Sequence, residues 1–165
     1  MTKADHPLQW AIEKADSWYF AYGSNLDPDR KTLRTGAIRD ARRARLRGHR
    51  LAFNKRGDDG SAKANIVIDQ HSEVWGVAYL CSQEALGQMD RSEGVPTHYR
   101  RHAVEVILDN DELIDAVTYI ANPNQIDDSL KPNPDYLGYI LRGMLHHRLP
   151  ESYRATVQDL GPKSL

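Results

Sequence analysis

Apolar residues in this chain recur mostly at every second position, in short runs broken by glycine, proline and polar clusters. Such alternation puts successive side chains on opposite faces of a pleated strand. It predicts strands over residues 18–22, 45–54, 64–69, 74–81, 99–108 and 113–120, most of them rich in β-branched or aromatic residues. Spacing of three and four takes over in fewer places. One helix is expected after Pro28 and one over residues 83–91; the clearest begins at Asn133-Pro134, a capping residue followed by proline in the first turn. There Leu137, Ile140, Leu141, Met144 and Leu145 make a stripe toward a core, Arg142 and His146 face away, and Pro150 ends the helix. A second amphipathic piece around Tyr153, Val157 and Leu160 is expected to fold back. Residues 57–61 and 123–134 read as loops. The pattern predicts a mixed α/β domain with a strongly curved sheet.

Composition narrows this to one compact domain. A chain of 165 residues suffices for a single core, and 22 basic against 23 acidic residues argue against a dedicated nucleic-acid binder. The first 17 residues are polar and lack the apolar core of a secretory signal, which points to a cytoplasmic protein with no membrane attachment. Residues 1–16 are expected to be mobile, with Trp10 and Ile12 as a tether; residues 17–160 form the domain and 161–165 a tail. Cys81 is the only cysteine, so an internal disulfide or cysteine metal cluster is excluded, and its place at the end of an apolar strand marks it as a packing residue. Helix amphipathicity fits either a core or a dimer face, leaving monomer and homodimer open.

The most informative segment is Tyr19-Phe20-Ala21-Tyr22-Gly23-Ser24-Asn25. Its aromatic residues favour a strand, Gly23 permits a tight turn, and Ser24 and Asn25 can cap a helix begun by Leu26-Asp27-Pro28. A strand, a glycine turn and a helix start converge several N–H groups on one spot, a nest suited to a carboxylate, a phosphate or a developing oxyanion. An ordinary strand-to-helix turn is the bland alternative. A second block, residues 86–96, is helix-like and breaks off just after Glu93.

Taken together, Tyr-Gly-Ser-Asn-Leu at 22–26, Glu-Val-Trp-Gly-Val at 73–77, Asp-x-x-Glu-Gly-Val at 90–95 and the Tyr-Arg-Arg that follows resemble the γ-glutamylcyclotransferases, from about Trp18 to the region of Tyr136. The resemblance implies a small barrel with flanking helices. It also implies an enzyme that cyclises the γ-glutamyl group of a small γ-glutamyl amino acid or amine to 5-oxoproline, with no cofactor and no metal. Glu93 would be the general acid and base, its proton affinity raised in an apolar wall made by Val95 and nearby strands. Backbone N–H groups at Gly23, Ser24 and Asn25 would hold the α-carboxylate or the oxyanion, with the division between them open. Tyr136 occupies the place of a substrate-contacting tyrosine, with packing under the last helix as the bland alternative; Tyr22 and Tyr19, counted with the substrate-binding residues, read as core aromatics, Tyr22 contributing mainly its backbone with a hydroxyl near the pocket.

The leaving group stays open: a free amino acid, an amine or a larger adduct presents the same glutamyl end. Residues 71–73, 97–99 and 122–131 are the candidates for the wall that selects it. The glycine loop looks less like the glutathione-specific branch, whose loop typically reads Tyr-Gly-Ser-Leu. A non-catalytic binding module on the same fold is the competing class. Other constellations carry less. The basic run Arg39, Arg42, Arg43, Arg45, Arg47, His49 and Arg50 alternates with Leu46 and Leu51 as the outer face of a strand. His146 and His147 are adjacent on a helix, point about 100° apart and cannot chelate one ion; a solvated face is expected. Ser24 lacks the Gly-x-Ser-x-Gly elbow of a hydrolase.

Overall fold

The computed structural model describes residues 16–162. The N-terminal segment 1–15, with Trp10 and Ile12, and residues 163–165 lie outside the described residues. Five strands, β1 (Ser17–Ala21), β2 (Ala41–Arg56), β3 (Ala62–Cys81), β4 (Tyr99–Leu108) and β5 (Leu113–Ala121), close a barrel in the order β1-β3-β2-β4-β5. All neighbours are antiparallel except β1 and β5, which run parallel with Tyr19 opposite Val117. Among the described residues four helices flank it: α1 (Pro28–Thr35), α2 (Gln83–Ser92), α3 (Pro134–His146) and α4 (Glu151–Asp159). This is the mixed α+β barrel that the alternation and the resemblance implied.

Two of the expected strands, 64–69 and 74–81, are one continuous strand. Between them β3 advances five residues, Ile68 to Glu73, while β2 advances two, Arg47 to His49. The polar stretch between the apolar runs is thus a bulge, closed by Asp69, whose carboxylate accepts from the His71 N–H (3.1 Å) and the Ser72 hydroxyl (2.8 Å). A second irregularity between Phe53 and Lys55 has more bearing on function. There the in-out alternation of β2 fails and Leu51 to Lys55 are all buried, because the loop around Ile126 covers the outer side through a bridge to Lys55. Lys55 is thereby turned toward the barrel's open end.

Core side chains such as Phe20, Ile66, Val77, Tyr79 and Val106 are almost completely buried inside the barrel. Asn133 caps α3 by accepting from the Asp135 N–H (2.8 Å), with Pro134 in the first turn as expected. Leu137, Ile140 and Met144 bury the inner stripe of α3, each worth about 1.5–3 kcal/mol, enough to fix a helix marginal by itself. Leu145 breaks the expected stripe: it is 61% exposed. The basic run lies on the outside of β2, where Arg43 pairs with Asp109, Arg45 with Glu73 and Arg50 with Asp69. Among the described residues no helix is long and apolar enough to cross a membrane.

Candidate active site

A cavity of about 440 Å³ opens at the end of the barrel where β1 leaves the sheet. Its lining includes all seven residues singled out from the sequence: Tyr19, Tyr22, Gly23, Ser24, Asn25, Glu93 and Tyr136.

The loop after β1 is a turn of 3-10 helix, Ser24–Leu26, closed by the Leu26 N–H on Gly23 O (3.0 Å) and the Asp27 N–H on Ser24 O (3.1 Å). Neither bond uses the amide of Ser24 or Asn25. The capping expected of those residues falls instead to Asp27, whose carboxylate accepts from the Asp29 N–H at 3.1 Å, so Ser24 and Asn25 are left facing the cavity. The turn is held from behind. Tyr79 donates its hydroxyl to Asn25 O (2.9 Å), and His147 Nε2 donates to Leu26 O (3.0 Å). Burial, reinforced by neighbouring His146, pushes the His147 imidazole down to about 4, so it is a neutral structural donor. His147 therefore turns inward, away from the solvated face expected for the histidine pair. Gly23 has a φ of −118°, open to any residue. Its requirement is space: a Cβ there would lie 3.1 Å from the Ala64 Cβ and 3.8 Å from the Tyr136 hydroxyl.

Glu93 caps the C-terminus of α2, its N–H on Met89 O at 2.9 Å. Gly94 follows with φ +64°, which lets the chain turn away at once, and the His98 ring packs against its bare Cα. The Glu93 carboxylate enters the cavity and accepts from Asn25 Nδ2 at 3.1 Å. The same amide donates to the Tyr19 hydroxyl (2.9 Å), and its oxygen accepts from Arg34 Nη1 (2.8 Å). Arg34 thereby fixes which way the amide faces, since a flip would set NH₂ against a guanidinium and oxygen against a carboxylate.

Burial raises the proton affinity of Glu93 above that of an ordinary glutamate; Arg34, the Asn25 bond, Lys55 and Arg30 pull the other way without cancelling it. The desolvating wall is made of tyrosines rather than of Val95, which is not among the lining residues. One turn earlier, Asp90 goes in the opposite direction. Burial acts against its charge, yet Arg101 grips it with two bonds (2.7 and 2.8 Å), Tyr119 adds a third (2.7 Å), and the carboxyl stays below the usual range. Two carboxylates on one helix end are thus pushed in opposite directions, Asp90 toward its ionised form and Glu93 toward its protonated one.

The tyrosines stay neutral. Burial and the Glu93 charge push Tyr19 and Tyr22 up, and burial moves Tyr136 up to about 12. Tyr22 donates to the Tyr119 carbonyl. Tyr136 accepts from the Ala64 N–H (2.9 Å), which leaves its own proton for the cavity, while Tyr99 donates to Ala64 O (2.7 Å). Five lining residues that the sequence reading did not single out, Arg30, Arg34, Lys55, Lys63 and Tyr119, stand beside His98 and Tyr99 in the site. Arg30 and Arg34 stand four apart on α1, a spacing that was readable as one helix face. Of the segments expected to form the selective wall, only His98 and Tyr99 line the cavity; residues 71–73 and 122–131 do not, and the β2–β3 hairpin takes their place. Cys81 is buried in the core, its thiol pushed up by burial, in keeping with a packing role. No group of three metal-ligating side chains occurs among the described residues.

Residues 19–138 match the family described as Gamma-glutamyl cyclotransferase, AIG2-like, and the chain belongs to that family. Among curated proteins, the gamma-glutamylcyclotransferase of Homo sapiens is 30% identical over 150 residues, covering 87% of this chain and 78% of the human protein. A solved gamma-glutamyl cyclotransferase superposes with a TM-score of 0.79 at 26% identity, covering 91% of this chain and 90% of its own. The yeast cyclotransferase specific to glutathione shares the fold at a TM-score of 0.62, covering 88% of this chain and 97% of its own, but only 13% of its sequence.

Proposed function

We propose that this protein cyclises the γ-glutamyl group of a small γ-glutamyl amino acid or amine to 5-oxoproline and releases the amine, with Glu93 as general base and then acid. The observation that carries the reading is the desolvated Glu93 carboxylate, which accepts from the side-chain amide of Asn25 in the Gly23–Asn25 turn at the cavity wall.

The nucleophile lies within the substrate, so the protein's tasks are to fold the glutamyl chain, relay protons from the α-nitrogen to the leaving nitrogen and stabilise one developing charge. Glu93 takes a proton from the α-ammonium. The freed amine attacks the γ-carbonyl carbon, the carbonyl electron pair moves to oxygen, and a tetrahedral intermediate forms. Glu93 then passes its proton to the leaving nitrogen as the C–N bond breaks and the carbonyl re-forms; the second proton still on the ring nitrogen passes by way of the regenerated Glu93 carboxylate to the released amine, which leaves as an ammonium and leaves 5-oxoproline with one N–H. A raised proton affinity suits Glu93 to both steps. The amides of Ser24 and Asn25, which the bonds closing the turn do not use, serve in this reading for the oxyanion or the α-carboxylate, and a donor of this kind is typically worth about 3 kcal/mol. The Tyr136 hydroxyl, its lone pair occupied by Ala64, donates to the substrate. No step in this chemistry calls for a cofactor.

The test is to incubate the protein with γ-glutamyl amino acids, γ-glutamylamines and glutathione and follow both products by mass spectrometry. Cyclotransfer requires 5-oxoproline and free amine in equal amounts. Glutamate in place of 5-oxoproline would mean hydrolysis and overturn the proposal.

A further inference from the structure

Charge in the cavity exceeds what a γ-glutamyl end requires. Arg30, Arg34, Lys55, Lys63 and Arg91 line it against two carboxylates, Asp58 and Glu93. The glutamyl end brings an α-carboxylate and an α-ammonium and so adds no net charge. The surplus is an attraction for an anion on the rest of the substrate.

Among the described residues Arg30, whose buried Nε has no hydrogen-bond partner, and Arg91 also lack an ion pair, but Lys55 is the most deeply buried of these cations. It is 5% exposed, and its ammonium meets neutral acceptors: Arg56 O at 2.6 Å and His98 Nδ1 at 2.8 Å. Among the described residues no carboxylate lies within ion-pairing distance of it, whereas Lys63 on the same hairpin is 3.9 Å from Asp59. A buried ammonium without a counter-ion is costly, and in keeping with this burial lowers the proton affinity of Lys55. The cost is relieved when an anion enters. Its position is also over-determined. Because Lys55 donates to Nδ1 of His98, that ring carries its proton on Nε2, and the bare Cα of Gly94 gives the ring its seat. The ammonium sits 5.6 Å from the centre of the Tyr99 ring, and that of Lys63 sits 4.4 Å from the centre of the Tyr136 ring. The two lysines thus stand over the tyrosines that flank Ala64, on the hairpin wall, whereas Arg34 reaches Asn25 from α1.

We propose that Lys55, positioned by His98 and backed by Lys63, is the subsite for a carboxylate on the leaving group. The preferred substrates are then γ-glutamyl amino acids, dicarboxylic leaving groups above neutral ones, and leaving groups that end in a cation are rejected. This rests on the cyclotransfer reading and narrows it to one class of leaving group.

Four compounds with the same glutamyl end test it: γ-glutamyl-glutamate, γ-glutamyl-alanine, γ-glutamyl-ethylamide and γ-glutamyl-1,4-diaminobutane. Wild-type kcat/KM is expected to fall in that order. In Lys55→Met the ratio of kcat/KM for the alanine compound to that for the ethylamide should drop at least about tenfold, mainly through KM, because a desolvated charge pair has lost one member. Lys55→Glu should turn the preference toward the diamine. A wild type that favours the ethylamide or the diamine, or a Lys55→Met protein that loses activity equally on all four, overturns the subsite. Calorimetric affinities of the same compounds for Glu93→Gln protein separate the two claims. Absence of 5-oxoproline from wild type sinks cyclotransfer, while equal affinity for the four compounds sinks the subsite whether or not turnover occurs.

Discussion

Replacing Asn25 by Asp changes one atom and probes the contact on which the site depends. In the wild type, Asn25 Nδ2 lies 3.1 Å from Glu93 Oε1 as a donor. In the variant an oxygen stands there, and two carboxylates face each other. Unit charges 3.1 Å apart, at an effective dielectric of about 20, repel by about 5 kcal/mol. Arg34, bonded to the other side of the residue at 2.8 Å, stabilises the new charge and offsets part of this. If half remains, about 2.7 kcal/mol, the pair holds a shared proton and the population of Glu93 able to accept another falls about a hundredfold. Folding should survive, because the Tyr19 hydroxyl can reverse its bond and donate to the new carboxylate. The assay is the initial rate of 5-oxoproline release against pH, with circular dichroism as a check on the fold. The expected outcome is a loss of about a hundredfold near neutral pH, larger in kcat than in KM, and an acid limb displaced to higher pH. A folded Asn25→Asp protein with wild-type rate and profile would refute the idea that the Asn25 amide holds Glu93 in its working state.

Glu93→Gln should also separate stability from activity. The folded-state proton affinity of Glu93 is raised, so ionising it opposes folding: stability is fully present below the ordinary glutamate pKa of about 4.3 and declines as pH rises through the higher folded value. Thermal melts should therefore show Glu93→Gln more stable than wild type at neutral pH, with the gap closing toward pH 4; a variant less stable at pH 7 would mean that the carboxylate contributes more through its bonds than it costs through burial. Gly94→Ala places a Cβ 2.6 Å from His98 Cδ2 on a residue at φ +64°, so it should lower stability by about 1–2 kcal/mol in denaturant titrations and weaken discrimination among leaving groups by unseating His98.

The strands and the two segments that meet at the cavity were legible in local chemistry, whereas the closed barrel and the pairing of those segments came from the resemblance. The aromatic run ending in Gly23 can do little but finish a strand, and Glu93 before Gly94 sits where a helix end makes a carboxylate unfavourable. The rest of the site depended on closure. Lys55 reads as one more polar residue near the end of a strand, and only the irregularity beside Phe53 together with the covering loop near Ile126 turns it inward. Arg30 and Arg34 look like the solvated face of a short helix until α1 is laid across the barrel mouth. His98 was among the candidates, but its bond to Lys55 spans 43 residues and appears only when β4 and the β2–β3 hairpin meet. The bulge at 69–72 misled in another way, since a polar interruption in an apolar pattern looks the same whether a strand ends or swells.

The most direct test of the central claim is turnover by wild type and Glu93→Gln side by side, with 5-oxoproline quantified from the same γ-glutamyl substrates. The proton-transfer role of Glu93 requires that the glutamine variant bind substrate, remain folded and turn over at least about a hundredfold more slowly. An unchanged turnover number in the variant would remove Glu93 from the chemistry and with it the mechanism proposed for this site.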